Sequence, residues 1–262
     1  MASRLRWVIA SLLAFAVTGW ASSEGICAKD RQPGSGAPLQ TILEFETTAR
    51  LLAVLLDSGR NVINEHQVPL DEQGKTEKDF TPDTFERQLL DLFRSRSGTD
   101  LRDLEAARIP ARAKQLLKEL VLVSKQVVAE AQPEINRPGS GLKEFIPAIF
   151  GARVATRFTE RTNVRLKQTA LAPRNPLNAP DTVERTALEA FADSSYPREK
   201  VISEVTAKSG SLHLMFPLYT TRKCLDCHGD PKGELDRTGY PREGLKLGQS
   251  AGAISVVIPI RP

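Results

Sequence analysis

A stripe of apolar positions beginning near residue 39 predicts the first folded segment of the chain. Its members recur at intervals that alternate between three and four, which places them on one face of an α-helix. The stripe consists of Ile42, Phe45, Ala49, Leu52, Leu56, Gly59, Ile63 and His66. It is the longest helical pattern in the chain. We therefore predict a long N-terminal helix over 42–66.

Three more helices are predicted before residue 163. Thr81 and Pro82 open a short helix, because a threonine followed by a proline in the first turn is a typical helix start. The other two span 110–132 and 145–159, each with apolar residues along one face. Pro133 is expected to end the first of these two, because proline interrupts the hydrogen bonds of a helix interior.

After residue 163 the pattern changes from helical to alternating, which indicates β-strands. Four segments alternate or run apolar with β-branched residues, and we interpret them as antiparallel strands. These segments are 164–169, 201–205, 212–219 and 253–260. Between the first two, Asp181 with Glu184 three residues later predicts the capped start of a helix. The order of elements predicts an α+β fold whose N-terminal half is helical.

Residues 1–23 have the features of a secretory signal peptide. Arg4 and Arg6 precede an apolar run, and the small residues 21–23 provide a cleavage site. The alternative is an uncleaved anchor, but the run is shorter than the about 20 residues that a membrane span needs. Residues 24–38, rich in Gly, Ser and Pro, are expected to form a flexible linker. We expect a periplasmic or secreted protein with no stable membrane span after cleavage.

The composition indicates a folded protein that does not bind nucleic acid. Of the 262 residues 40% are apolar, which excludes a disordered chain. Lys and Arg number 36 against 32 Asp and Glu, and the loss of Arg4 and Arg6 with a signal peptide reduces this small excess further. With two Trp and three Tyr, the chain has no basic, aromatic-rich signature of a nucleic-acid surface.

The cysteines carry the strongest chemical signal in the sequence. Cys27 lies near the signal region, whereas Cys224, Cys227 and His228 form the motif Cys-x-x-Cys-His. Three cysteines in this arrangement do not make an ordinary disulfide framework in an oxidising compartment. The motif is a c-type haem attachment site, in which both thiols form thioethers to the vinyl groups and the histidine binds the iron. We predict one covalently attached haem c.

The motif has two alternative interpretations, a thioredoxin-like redox site and a structural zinc site. A thioredoxin-like Cys-x-x-Cys would open a helix, but Gly229 and Pro231 follow the motif directly. A structural zinc site needs four ligands, and the motif supplies three unless His66 or His213 completes the set. Haem attachment explains the order of all three motif residues, and we prefer it.

The residue opposite His228 across the iron decides the function of such a haem. A methionine, a histidine or no protein ligand gives respectively a higher-potential carrier, a lower-potential carrier or a gas-binding centre. His66 is the leading candidate, because it lies on the apolar stripe of the first helix. His213 and Met215 share one face of a predicted strand and are further candidates. An open site is the remaining option.

The propionates of the haem also need partners. Arg165, Lys167 and Arg174 lie near a proline-rich loop and are candidates for this role. Surface salt bridges are the simpler explanation for all three residues.

Five segments follow one another in an order that is typical of a known family. They are FIPAIFG at 145–151, LKQT at 166–169, RNPLNAPD at 174–181 with Glu184, CLDCHG at 224–229, and GAISV at 252–256. With these segments the chain resembles the single-haem, c-type, PAS-like domains long catalogued as a domain of unknown function. Such domains occur in secreted cyanobacterial and proteobacterial proteins and as the sensor part of some histidine kinases.

The resemblance implies a fold and a ligand set. It implies a central PAS-like antiparallel sheet with flanking helices, long N-terminal helices before it, and a haem near the C-terminus held by the Cys-x-x-Cys-His residues. In the best described member of the family the distal ligand resembles a cysteine within a Gly-x-x-x-Ile segment of an early helix. Here the comparable segment 59–66 contains no cysteine, and His66 stands near that place. Ligation by two histidines, His228 and His66, is the natural substitute.

We expect a monohaem c-type protein for redox sensing or electron transfer that works with an unidentified redox or signalling protein. The alternative is a haem-based sensor of NO or CO that signals through a partner protein. An enzyme is not expected, because no acid and base pair is recognisable for turnover at the iron. The sequence leaves the oligomeric state, the redox potential and the physiological signal open.

Overall fold

The computed structural model describes residues 39–67, 80–137, 145–206 and 210–260. The predicted signal peptide and linker lie outside the described residues. Within them, the N-terminal half consists of long helices. These are α1 (Leu39–Glu65), α2 (Pro82–Ser97), α3 (Ala111–Ile135) and α4 (Pro147–Thr162). The four helices predicted for this half are confirmed.

Helix α2 shows how local sequence sets its limits. The Thr81 side chain accepts a hydrogen bond from the backbone N–H of Thr84, and Pro82 occupies the first turn. At the other end Gly98 adopts a left-handed conformation with φ 70°, and its N–H donates to the carbonyl of Arg94. Glycine adopts this conformation at little cost, so the helix stops there.

The end predicted for α3 is wrong by one turn. Pro133 lies inside the helix, which continues to Ile135. The backbone N–H of Asn136 still donates to the carbonyl of Gln132 at 2.8 Å. A proline near the end of a helix removes a single hydrogen bond, and the buried Ile135 keeps the last turn in place.

Helix α1 is the centre of the helical half and contacts α2, α3 and α4. Gly59 of α1 allows the ring of Phe150 to approach closely, since a Cβ at this position would lie 2.8 Å from that ring. Phe150 in turn meets Phe85 edge-on, with ring centroids 5.4 Å apart. Buried rings packed in this way join three helices into one core.

The C-terminal half forms a four-stranded antiparallel sheet. Its strands are β1 (Arg165–Thr169), β2 (Ile202–Thr206), β3 (Ser211–Tyr219) and β4 (Ser250–Pro259), in the order β1-β4-β3-β2. Helix α5 (Thr182–Ala192) starts with a complete capping box between Asp181 and Glu184. All four predicted strands and the capped helix are confirmed, with ends shifted by up to three residues.

Helices cover both faces of the sheet. On one face Leu214 and Val256 belong to the core that α1 shares with α2, α3 and α4. On the other face Met215 and Ala253 pack against Phe191 of α5. The predicted α+β class, with an antiparallel sheet, flanking helices and long N-terminal helices, is therefore confirmed. None of the described helices has the length and apolarity that a membrane crossing needs.

Candidate functional site

The Cys-x-x-Cys-His motif lies in the long connection between β3 and β4. A 3-10 turn over Arg222–Cys224 leads into the single-turn helix α6 (Leu225–His228), which ends at Gly229. Helical spacing places Cys224 and His228 on the same side of this turn. Both cysteines are free thiols and half-buried. Burial, the largest cause, raises the pKa of the Cys227 thiol.

A cavity of about 1240 Å³ borders the motif. This volume exceeds the roughly 300–1,000 Å³ of pockets for drug-sized ligands. Its wall is built from both halves of the chain: α1, α5, the strands β3 and β4, the loop 170–174 and the motif itself. The apolar part of the wall includes Leu51, Val54, Leu188, Phe216 and Leu218. The cavity can therefore hold a large, mostly apolar group beside the two thiols.

A carboxylate fixes the orientation of His228. Its Nδ1 lies 2.7 Å from Oε2 of Glu243. An ionised carboxylate only accepts hydrogen bonds, so Nδ1 carries a proton, and in the neutral imidazole Nε2 keeps its lone pair for a metal. Burial raises the pKa of Glu243, but hydrogen bonds from Arg174 and His228 outweigh it and hold the pKa below its ordinary value. A carboxylate behind a histidine is the usual support of a metal-binding imidazole.

Arg174 ties the motif to the rest of the connection. Its Nε donates to Oε1 of Glu243 at 2.6 Å, and its Nη2 donates to the carbonyl of Cys227 at 2.9 Å. Its Nη1 donates to Oδ2 of the buried Asp236, also at 2.6 Å. Although burial raises the pKa of Asp236, hydrogen bonds from Thr238 and Arg174 hold that pKa far below its ordinary value. One guanidinium thus joins the loop 170–174 to three points of the connection between β3 and β4.

The structure places His66 outside the cavity wall. Its Nε2 lies 2.7 Å from Oε1 of Gln88, and its ring packs on the buried Phe80 with centroids 4.4 Å apart. The structure therefore does not bring His66 and His228 together. The distal role of His66 stays a prediction that requires the end of α1 to rearrange.

His213 and Met215 also lie away from the cavity wall. Nε2 of the buried His213 lies 2.8 Å from the Ser255 hydroxyl, on the sheet face that α5 covers. Burial is the main cause that lowers the pKa of His213, although Asp181 opposes it. Met215 is fully buried against Phe191 of α5.

Two of the three candidate propionate partners serve another purpose. The Lys167 ammonium is 2.7 Å from Oε2 of Glu184, and Arg165 is 3.3 Å from Asp181. Both cations therefore pair with the capping box of α5. The Arg165 pair is a surface salt bridge as predicted, whereas the Lys167 pair is not, because Glu184 is fully buried. Of the three, only Arg174 contacts the motif.

The zinc alternative finds no ligand set in the described part of the chain. No group of three or more His, Cys, Asp and Glu suited to a metal ion occurs among those residues. His66 and His213, which would complete the set, hydrogen-bond to Gln88 and Ser255 instead.

Sequence reasoning missed Glu243, Asp236 and the polar face that α1 presents to the cavity. Glu243 follows His228 by 15 residues in a loop rich in Gly and Pro, where no periodicity marks a buried or paired position. On α1, Asn61 and Asn64 line the cavity at a spacing of three. That spacing, beside the apolar stripe, was the one available signal.

The fold and the site define an α+β domain in which a Cys-x-x-Cys-His turn faces a large cavity. Residues 39–259 match the sequence profile of the Tll0287-like family, so the chain belongs to that family. The resemblance drawn from the five sequence segments is thereby confirmed. A comparison with curated proteins gave no match.

Among solved structures, the chain is similar to a cyanobacterial haem protein, Tll0287. The two share 19% sequence identity with a TM-score of 0.38, and the alignment covers 57% of this chain and 96% of the other.

Proposed function

We propose that this chain is an exported single-haem c-type protein that acts in redox sensing or electron transfer. The observation that carries the proposal is the contact between Nδ1 of His228 and Glu243, which leaves Nε2 available to iron. Membership of the Tll0287-like family supports it, because Tll0287 itself is a haem protein.

The residues of the cavity fit a covalently attached haem. Cys224 and Cys227 are free thiols at its wall and would form the two thioethers, with His228 as the proximal ligand. The Tyr219 hydroxyl, at the same wall, is buried and has no hydrogen-bond partner among the described residues. A buried hydroxyl without a hydrogen-bond partner carries a desolvation penalty, and a polar group of a bound ligand would remove that penalty.

Two charged residues near His228 would influence the potential of the iron. A bound haem supplies a one-electron iron couple. The Glu243 carboxylate increases the negative character of the His228 imidazole and so favours the more positively charged, oxidised state. Arg174 binds the same carboxylate and moderates this effect. In this proposal the two residues set the potential together, and a protein partner exchanges electrons or receives the signal without turnover of a substrate.

The experiment is expression of the full chain in a bacterium with a working cytochrome c maturation system. The periplasmic protein should keep its haem on a denaturing gel and carry the added mass of one haem. The double variant Cys224→Ala/Cys227→Ala should lose the covalent haem, whereas Cys27→Ala should keep it. A wild-type protein without covalent haem, or a double variant that retains it, contradicts the proposal.

A haem-based sensor of NO or CO that signals through a partner is the second candidate function. The specific observation in its favour is the placement of His66, His213 and Met215 outside the wall of the cavity that contains His228.

A further inference from the structure

The side chains able to compete for the second axial position of a haem iron are few. The sequence contains three histidines, two methionines and three cysteines in all. His228, Cys224 and Cys227 are occupied by the proposed attachment. Met1 and Cys27 lie outside the described residues. Among histidines, methionines and cysteines, only His66, His213 and Met215 then remain within the described chain.

Each of these three is held elsewhere by specific contacts. His66 is held by Gln88 and Phe80, at 2.7 Å and 4.4 Å respectively. His213 lies under α5 beside Ser255, and Met215 is 1% exposed in the core below that helix. Moving His213 or Met215 to the cavity would break the pairing of β3 with β4, because both residues lie in the middle of β3.

The side of α1 that lines the cavity changes from apolar to polar toward its C-terminal end. Leu51 and Val54 come first, and Asn61 and Asn64 follow. Asn61 is engaged, because its Nδ2 donates to the Asp57 carbonyl at 2.9 Å and to the Asp57 carboxylate at 3.2 Å. The Asn64 side chain makes no hydrogen bond within the part of the chain that the structure describes. Asn64 is half-buried, and its free side-chain amide lies at the wall of the cavity.

An ion pair holds this end of α1 beside the attachment motif. The Lys223 ammonium lies 2.7 Å from Oε2 of Glu65 and 3.5 Å from the carbonyl of the same residue. Lys223 directly precedes Cys224, and Glu65 directly follows Asn64. The contact therefore shows that the Asn64 region lies close to the motif that would carry the haem.

Two cations near this end of α1 share one carboxylate. Arg60 and Arg96, which also line the cavity, each lie 2.8 Å from the carboxylate of Asp57. The polar group left available at this end of α1 is an uncharged amide. This amide can donate a hydrogen bond to a small ligand that binds beside the apolar wall.

We propose that the iron held by His228 keeps an exchangeable sixth position, and that this position takes a small uncharged diatomic gas to which Asn64 donates a hydrogen bond. The proposal rests on the haem attachment of the proposed function. The ligand of the same cavity is then a diatomic gas, and His66 does not bind the iron.

The test uses the full-length periplasmic protein with its covalent haem, reduced, with and without carbon monoxide. The absorption spectrum should be that of high-spin ferrous iron, and carbon monoxide should shift the Soret band at saturation. His66→Ala and Met215→Leu should leave both the spectrum and the carbon monoxide affinity unchanged within a factor of two. A low-spin ferrous spectrum that does not respond to the gas overturns the proposal.

A second pair of variants tests the hydrogen bond. Asn64→Ala should weaken carbon monoxide binding about fivefold, the factor that corresponds to one hydrogen bond of ordinary strength. It should also raise the C–O stretching frequency of the complex, which a merely structural role would not do. Asn136→Ala, an asparagine at the end of α3 outside the cavity wall, is the matched control and should change neither quantity. Equal effects of the two variants would contradict the role of Asn64.

Failure of this proposal is distinguishable from failure of the proposed function. A protein without covalent haem on a denaturing gel refutes the attachment itself. A protein with covalent haem and a closed, gas-insensitive spectrum refutes only the exchangeable position. If Cys27→Ser or His66→Ala then opens the site to carbon monoxide, that residue is the sixth ligand and the proposal is wrong.

Discussion

At the scale of single residues, the site consists of an imidazole backed by a network of paired carboxylates and a guanidinium. His228 donates to Glu243, Glu243 accepts from Arg174, and Arg174 also binds Asp236. The buried Asp236 and the half-buried Glu243 therefore share one cationic partner, Arg174, which offsets the cost of burying the Asp236 carboxylate. Removal of Arg174 would leave the buried Asp236 without its cationic partner.

Glu243→Gln should raise the midpoint potential of the haem iron by on the order of 50 mV. The carboxylate favours the oxidised state, so its neutral replacement favours reduction, and about 59 mV corresponds to a tenfold change in the ratio of the two states. The measurement is a spectroelectrochemical titration of the intact protein. The control is Glu234→Gln, at an exposed position in the same connection. A shift of the same size in the control would show that general surface charge is responsible.

Asp236→Asn should lower the free energy of unfolding at pH 7 by about 2 kcal/mol or more, because it leaves Arg174 without a buried partner. The folded-state pKa of Asp236 lies far below its unfolded value near 3.9. Its contribution is therefore fully present above that unfolded value, and it is lost as pH falls toward the folded pKa. The stability difference between wild type and variant should shrink between about pH 5 and pH 2.

Denaturant titrations at several pH values measure this difference. Asp91→Asn is the control, since its exposed carboxylate pairs with Arg102 at the surface and should contribute little at any pH. A difference between wild type and Asp236→Asn that stays constant with pH would contradict the role assigned to ionised Asp236.

The motif could be recognised in the sequence because the proposed attachment chemistry requires Cys224, Cys227 and His228 at fixed local spacing. The supporting carboxylates could not, because Glu243 and Asp236 reach the motif through an irregular loop whose path depends on the whole fold. His66 illustrates a third case. The stripe predicted that the helix would include His66, whereas α1 ends at Glu65 and His66 follows in a turn. The stripe also does not distinguish a helix end that faces a cavity from one that packs on Phe80.

At the scale of elements, hydrophobic periodicity predicted the helices and strands well because each buries one continuous face. Their ends depended on local chemistry. The Thr81 and Asp181 caps marked two helix starts correctly. Pro133 was misleading because a proline stops a helix only where the lost hydrogen bond is not offset, and α3 buries Ile135 beyond it.

Gly59→Ala should destabilise the protein by about 1 kcal/mol, although alanine favours helices. The added Cβ would lie 2.8 Å from the fully buried Phe150 ring, and overpacking of a core costs about 1–3 kcal/mol. The gain in helix propensity is about 1 kcal/mol and does not offset such a clash. Thermal and denaturant unfolding measure the change.

Gly151→Ala in α4 is the matched control. A Cβ there would lie 2.7 Å from the side-chain amide of Gln168, which is the end of a long, partly exposed side chain and can move. This variant should be neutral or slightly stabilising. If both glycine variants lose the same stability, the close approach of Phe150 is not the reason.

At the scale of the whole molecule, the cavity joins the two halves of the chain. Its wall includes Asn64 of α1 at one side and Leu188, Leu218 and Gly252 of the C-terminal half at the other. A group that fills it therefore contributes contacts between helices and sheet that neither half makes alone. Ligands that bind the folded state stabilise it, and a covalent one cannot dissociate.

Loss of the haem should therefore lower the thermal stability of the whole protein. The double variant Cys224→Ala/Cys227→Ala, purified free of haem, should melt in a single transition about 5 °C or more below wild type. Circular dichroism follows the melting, and Cys27→Ala with its haem retained is the control. An unchanged melting temperature after loss of haem would show that the cavity does not link the two halves.

The position of β4 has a consequence for the order in which the chain can mature. This last strand lies between β1 and β3, and it also contacts α1 at the opposite end of the sequence. Until residues 250–259 have been synthesised, β1 has no neighbour in the sheet and the core cannot close. Contacts this distant in sequence form late in folding. Cys224 and Cys227 precede β4, so both thiols are made while the chain is still open. The interval before the last strand docks is the time at which chemistry on these two sulfur atoms meets the least obstruction.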